Sequence, residues 1–162
     1  MVPYWIKKKK AKKNIEPDLF GVKEKKKRKP DLVKKLDKVF ALYIRLRDVM
    51  PSGYGKCISC GRIFPFSELD CGHFHGRTHM ATRFDEDNCH IECKGCNRFS
   101  ADHLIRYRDN LVAKIGMSRY DRLGLLAHSQ KHWMDFELQE KIDYYTKEVK
   151  RLSADKGIRV NL

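Results

Sequence analysis

Cys57-Ile58-Ser59-Cys60 and Cys93-Lys94-Gly95-Cys96 are two thiol pairs, each spaced so that both sulfurs of one turn can reach a single ion. Four such sulfurs on one tetrahedral zinc ion would close residues 57 to 96 into a loop, whatever the rest of the chain does. Four thiolates complete the coordination sphere and leave no place for water or substrate. The zinc is therefore expected to be structural, one ion per chain. Disulfides are the other use of paired cysteines, but residues 1 to 6 are too short for the core of an export signal. A redox dithiol needs only one such pair and a βαβ setting, which the pattern here does not offer. Cys71 and Cys89 are left over and are expected to be small buried residues.

A chain of 162 residues is long enough for one modest core plus a tail. Its formal charge of +14, from 35 basic and 21 acidic residues, points to a polyanionic partner. Nucleic acid comes first and an anionic membrane second. No stretch approaches the roughly eighteen continuous apolar residues of a membrane span, so no membrane partner and a cytoplasmic location are expected. Residues 1–30 hold eleven lysines and Arg28 against three acidic residues, so +9 of the charge sits there. This segment is expected to be a flexible basic arm. Lys7, Lys8, Lys9, Lys10, Lys25, Lys26, Lys27 and Arg28 would make sequence-independent phosphate contacts. A plain solubility tail is the alternative; the +5 carried by the remainder favours DNA.

Leu32, Leu36, Val39, Phe40, Tyr43 and Leu46 recur at three- and four-residue steps behind Asp31, predicting a helix over 31–49 that Pro51 and Gly53 end. Short extended runs follow at 62–66 and 70–74, with a third near 88–91. Asp85, Glu86 and Asp87 read as a solvated turn between them. After Cys96 the pattern is helical: Leu104, Leu111, Val112 and Ile115 share a face, and Gly116 stands where a C-cap glycine would. Leu138, Ile142, Tyr145, Val149 and Leu152 then mark a last helix. Its seam is expected to pack on the protein's own core; a dimer seam is the minority alternative. Three regions result: the arm at 1–30, a core with its leading helix at 31–116, and a helical region at 117–162.

Between the thiol pairs lie Glu68, Asp70, His73, His75, His79, Asn88 and His90, and Asn97 follows the last cysteine. Hydrolysis of a phosphodiester needs a base for water and a hard cation on oxygen or imidazole ligands, and these residue types supply both. His79, His103, His128 and His132 are left out, because a lone histidine is more often a surface residue than a ligand.

The strings Glu68-Leu69-Asp70-Cys71-Gly72-His73-Phe74, Arg83-Phe84-Asp85-Glu86-Asp87-Asn88 and Cys93-Lys94-Gly95-Cys96-Asn97 resemble the HNH nuclease superfamily. More narrowly they resemble the NinG/Rap recombination nucleases of lambda-type phages, from about Tyr43 through Gly116. The resemblance implies an α+β fold with a small ββα-metal core, a structural four-cysteine zinc site and flanking helices. It gives His73 the place of the general base, Asn88 that of the asparagine bracing the loop, and Asn97 that of the last metal ligand. Many members carry a ligand directly before the base, where this chain has Gly72. Asp70 is the expected substitute, and it joins His73 on one face only if the strand bulges at Gly72. His90 and His75 are reserves. A Mg²⁺ or Mn²⁺ ion on Asp70 and Asn97, with His90 as a further ligand, would serve the reaction, and Arg77 and Arg83 would add phosphate contacts. The implied substrates are Holliday junctions and D-loops, cut to 3′-hydroxyl and 5′-phosphate ends in the host cytoplasm, with a homodimer for symmetric cleavage. An HNH nuclease for linear DNA and a non-catalytic zinc-ribbon DNA-binding protein are the competing expectations.

Overall fold

The computed structural model describes residues 31–100 and 102–162, so the basic arm and its expected phosphate contacts lie outside the described residues. Helix α1, Leu32–Asp48, starts where the Asp31 carboxylate accepts the Lys34 amide at 3.1 Å, satisfying one of the free N–H groups of the first turn. It ends at Val49, which is extended, just before Pro51. Strands β1, Tyr54–Lys56, and β2, Ile63–Pro65, pair antiparallel with Tyr54 opposite Pro65. Gly53 at φ 79° and Gly61 at φ 71° take the left-handed backbone that the turns flanking β1 require.

A single 3₁₀ turn, Phe66–Glu68, leads into β3, Leu69–His73, which pairs antiparallel with β4, Cys89–Cys93. Helix α2, Lys94–Phe99, leaves directly from β4 and packs across both strands. Helices α3, His103–Ile115, and α4, Met117–Ala127, meet at Gly116, whose φ of 82° allows the sharp change of direction. Helix α5, Asp135–Lys156, closes the chain; its first turn is held by the Glu137 carboxylate, which accepts the Met134 amide at 2.8 Å. The architecture is a mixed α+β fold with two small sheets among helices.

The largest core lies between α1 and α5 and one face of β3–β4. Leu36, Phe40, Tyr43 and Ile44 meet Leu138, Ile142, Tyr145 and Val149, with Cys71, Phe84 and Cys89 closing the layer. Phe40 and Tyr145 stack edge to face at 5.0 Å. The seam of α5 packs on the protein's own core, as expected, because its apolar stripe finds its partner in α1. The ends are tied as well. Lys156 Nζ donates to the Leu46 and Val49 carbonyls, both at 2.6 Å, where the end of α1 leaves oxygens without helical partners. A second cluster, Ile58 with Tyr107, Leu111 and Leu123, seats α3 and α4 against the turn that carries the first thiol pair.

The expected solvated turn at Asp85 to Asp87 is instead an anchored corner. Glu86 accepts the hydroxyls of Tyr43 at 2.7 Å and Tyr145 at 3.3 Å, while Asp87 is paired with Arg119 and Arg122 of α4. Carboxylates in a row read as solvated only when no hydroxyl or guanidinium converges on them, and here helices distant in sequence supply both.

Candidate functional site

Cys57 and Cys60 sit in the turn between β1 and β2, Cys93 ends β4, and Cys96 lies in the first turn of α2. Their four sulfurs all lie within 4.8 Å of one another, with Cys60 and Cys93 Sγ at 3.9 Å, and every cysteine is free. Tetrahedral zinc with Zn–S bonds of about 2.3 Å sets sulfurs about 3.8 Å apart, so the cluster has the dimensions and the donor chemistry to hold a zinc ion. The backbone is arranged for it. The Ile58 amide donates to the Ile91 carbonyl at 3.0 Å, and the Gly61 amide to the Cys57 carbonyl at 2.9 Å, which folds the first pair onto the strand that delivers the second.

One consequence of this staple is the position of α2. Its Asn97 Nδ2 donates to Asp70 Oδ2 at 3.3 Å, and Arg98 holds the same carboxylate through Nε at 2.8 Å and Nη2 at 3.1 Å. Partial burial pushes the Asp70 carboxyl up, but the hydrogen bonds from Arg98 and Asn97 outweigh it and hold its pKa below the ordinary 3.8. Asp70 and Asn97, 27 residues apart, are thus brought together.

His73 is not brought to them by the strand. The register runs without interruption from Leu69 opposite Cys93 to His73 opposite Cys89, so no bulge occurs at Gly72. Asp70 and His73 accordingly leave β3 on opposite faces. His73 shares its face with Cys71 and Cys89, and one ligand atom from each lies within 4.8 Å of the others. Burial, and then the Arg77 charge, depress the His73 pKa to about 4. The ring is neutral at neutral pH.

Asn88 is fully buried and works as a brace. Its Oδ1 accepts the His75 amide at 2.8 Å, and its Nδ2 donates to the carbonyls of His75 at 2.9 Å and Thr82 at 3.0 Å, tying both ends of the segment between β3 and β4. His75 therefore contributes its backbone to the brace, while its ring lies beside those of Phe74 and His79. Arg77 is exposed, as a phosphate contact must be. Arg83 is not available in the same way: it forms a two-bond ion pair with Asp37 of α1, and its side chain is 18% exposed. The guanidinium expected on DNA is used to fasten the loop to α1.

His90 lies opposite Gly72, on the face of Asp70, and is buried, with its pKa lowered to about 3 by burial and then by Lys114. Sequence inspection passed over two residues beside it. Glu92, opposite Asp70, is 0% exposed; Ser59 Oγ donates to its Oε1, and His103 Nδ1 lies 2.9 Å from the same oxygen. A glutamate at an inward position of a strand that is buried on every residue was the available signal. His103, set aside as a lone histidine, acquires its partner only when α3 folds over β4.

Four sulfurs gathered from the β1–β2 turn, the end of β4 and the helix that follows it define a small α+β protein with a cysteine cluster that could hold a metal ion. The chain belongs to the NinG family: the family model described as Bacteriophage Lambda NinG protein matches residues 5–155. The chain is 35% identical over 95 residues to protein ninG of Salmonella phage P22, covering 56% of this chain and 45% of that one. It is 36% identical over 80 residues to protein ninG of Escherichia phage 933W, covering 48% and 38% of the two chains. With protein ninG of Escherichia phage lambda it shares 35% identity over 80 residues, 48% of this chain and 37% of the other. The alignments therefore span less than half the length of these curated relatives. No solved structure matches the chain. Among the described residues, no helix is long and apolar enough to cross a membrane.

Proposed function

We propose that this protein is a metal-dependent DNA endonuclease that cuts branched recombination intermediates, Holliday junctions and D-loops among them. The observation that carries the reading is the approach of Asn97 to Asp70, on the sheet face that the cysteine staple presents to α2. The Asp70 carboxylate, and Asn97 once its amide turns to offer Oδ1 in place of the Nδ2 that now donates to Asp70, would be oxygen ligands suited to Mg²⁺ or Mn²⁺. When bound there, such an ion neutralises charge on the scissile phosphate and its leaving oxygen. His73, neutral at neutral pH, takes the proton of the water that attacks phosphorus in line. His73 and Asp70 serve one phosphate if it lies across the end of β3, the position His73 occupies. Asn88 keeps that end in place by bracing the loop that leaves it. Exposed Arg77 and the lysines of the arm supply phosphate contacts that carry no sequence information. Symmetric cutting of a four-way junction needs two such sites, hence two copies of the chain on DNA.

The test is cleavage of labelled linear, forked and four-way DNA by the zinc-loaded full chain, with and without Mg²⁺. Mg²⁺-dependent cutting of branched substrates is expected, and His73→Ala is expected to slow it about 100-fold or more. Equal cutting of linear duplex removes the preference for branches, and unimpaired cutting by the variant removes His73 as the base. A DNA-binding module without catalysis is favoured by one observation: Arg98 already neutralises Asp70. Tight binding of four-way DNA with no cleavage under any divalent ion decides for that second reading.

A further inference from the structure

Cys71 and His73 stand two residues apart on β3 and share one side of the sheet, and Cys89 of β4 lies directly opposite His73. Directly opposed residues of an antiparallel pair hold their Cβ atoms about 5 Å apart, so strand pairing brings the Cys89 thiol to the other two side chains. One ligand atom from each of the three lies within 4.8 Å of the others. Among the described residues, the four-sulfur staple is the one other group of histidine, cysteine or acidic side chains gathered so closely. Both thiols are free. The trio lies on the side that closes the core against α1, away from Asp70 and Glu92.

Two buried cysteines alone are ordinary filling of a core. An imidazole that joins them from the same face is a third donor, and two sulfurs with one ring nitrogen match the Cys₂His set that leaves one place of a zinc tetrahedron open. Sulfurs in such a tetrahedron stand about 3.8 Å apart, so small side-chain rotations close the three on an ion. Charge suits the place as well. Two thiolates and a neutral imidazole around Zn²⁺ sum to zero, a balance that a layer containing Phe40 and Phe84 holds without a counter-ion. Binding releases the two thiol protons to water, and the ring, already neutral, gives up none. Asn88 Nδ2 lies 3.9 Å from Cys89 Sγ and donates towards the sulfur that would carry charge. His73 is partly exposed and Cys89 is not, so an ion enters from the end of β3. Mg²⁺ prefers oxygen ligands and is not expected here.

We propose that Cys71, His73 and Cys89 form a second metal site, selective for a thiophilic ion such as Zn²⁺, which takes the His73 ring out of use when it fills. The site is an off-switch for the reaction and not the seat of its Mg²⁺ or Mn²⁺. With one ring nitrogen on the ion, the other carries the proton of the neutral imidazole, and neither accepts a proton from water. The inhibition rests on the nuclease reading; the binding does not.

The experiment titrates the full chain, with one zinc equivalent in the staple, with Co²⁺ under anaerobic conditions and reads the thiolate-to-cobalt charge-transfer absorption. One Co²⁺ per chain is expected. Loss of an outer-shell partner of a metal costs roughly 10–100-fold in affinity, so Cys71→Ala and Cys89→Ala, which remove ligands, are each expected to weaken binding about 100-fold or more. Bound zinc is expected to stay at one equivalent, which reports that the variants are folded. His73→Gln, at the partly exposed end of the trio, gives the same reading should a cysteine variant lose its zinc. No cobalt taken up beyond the staple, or equal uptake by the variants, overturns the site. For the switch, Mg²⁺-dependent DNA cutting by the parent chain is expected to fall about 100-fold or more as a second zinc equivalent fills the site, while Cys71→Ala keeps its rate. Cobalt bound through the trio by a chain that cuts no DNA upholds the site and ends the nuclease reading. Cutting that persists with the site full upholds the site and overturns the switch.

Discussion

Arg98 reaches back from α2 to grip both oxygens of Asp70, Nε on Oδ2 at 2.8 Å and Nη2 on Oδ1 at 3.1 Å. A guanidinium in that place competes with any cation for the same carboxylate. The Arg98 side chain is 52% exposed, and ion pairs of that kind are worth about 1 kcal/mol or less. Arg98→Gln is therefore expected to lower the half-saturating Mn²⁺ concentration roughly twofold to fivefold, whereas Asp70→Asn raises it. Mn²⁺ titrations of the two variants against the parent chain check the direction; a rise for Arg98→Gln removes Asp70 from the ligand set.

Asn88 satisfies three backbone groups from a position with no solvent contact. Asn88→Ala leaves a buried amide and two carbonyls short of partners, at a cost of about 3 kcal/mol. Urea denaturation measures it, and a cost below about 1 kcal/mol would mean that the loop does not depend on this brace.

Zinc content and stability should move together. The native chain is expected to carry one zinc equivalent, and Cys57→Ser to lose most of it, because three thiolates and a hydroxyl bind the ion far less well. Chelation is expected to lower the thermal midpoint and to release α2, seen as enhanced proteolysis around Lys94 and Arg98. Metal analysis with circular dichroism decides, and unchanged folding after complete zinc removal contradicts a structural role.

Ending the chain after Gly116 removes the helix that covers Leu36, Phe40 and Tyr43. The truncated protein is expected to aggregate, and in the full chain Phe40→Ala or Tyr145→Ala is expected to cost about 3–5 kcal/mol. A soluble, folded fragment of residues 31–116 would show that the α1–α5 interface is dispensable.

Asp87 ties the β3–β4 loop to α4 through Arg119 and Arg122, and its side chain is 9% exposed. Burial pushes its pKa up, but the two guanidiniums outweigh burial and keep it below the ordinary 3.8. A carboxylate depressed in the folded state contributes stability that is complete above its unfolded pKa and is lost as pH falls through the folded one. Asp87→Asn is thus expected to be less stable than the parent by about 1–2 kcal/mol at neutral pH, with the gap shrinking below pH 3.8. Denaturation at pH 7 and pH 3 gives the comparison.

Periodicity and spacing made α1, α5 and the cysteine cluster legible, since a 3.6-residue stripe and a Cys-x-x-Cys pair are local signals. Strand β1 was missed because Tyr54-Gly55-Lys56 is short and holds a glycine. The site was legible only as a set of residue types. Nothing local in Asp85 and Asp87 announces two arginines more than thirty residues away, and Arg83 reads as a free cation until Asp37 is seen beside it.

The residues that can coordinate, brace and carry charge were determined by the chain alone, because each such capacity belongs to a side chain and its near neighbours. Which of them meet was decided by the tertiary structure. Strand pairing assigns every side chain to a face by register, and an uninterrupted β3–β4 register sends Asp70 and Glu92 to one side and His73 to the other. That assignment depends on contacts between segments about twenty residues apart, which no local pattern encodes.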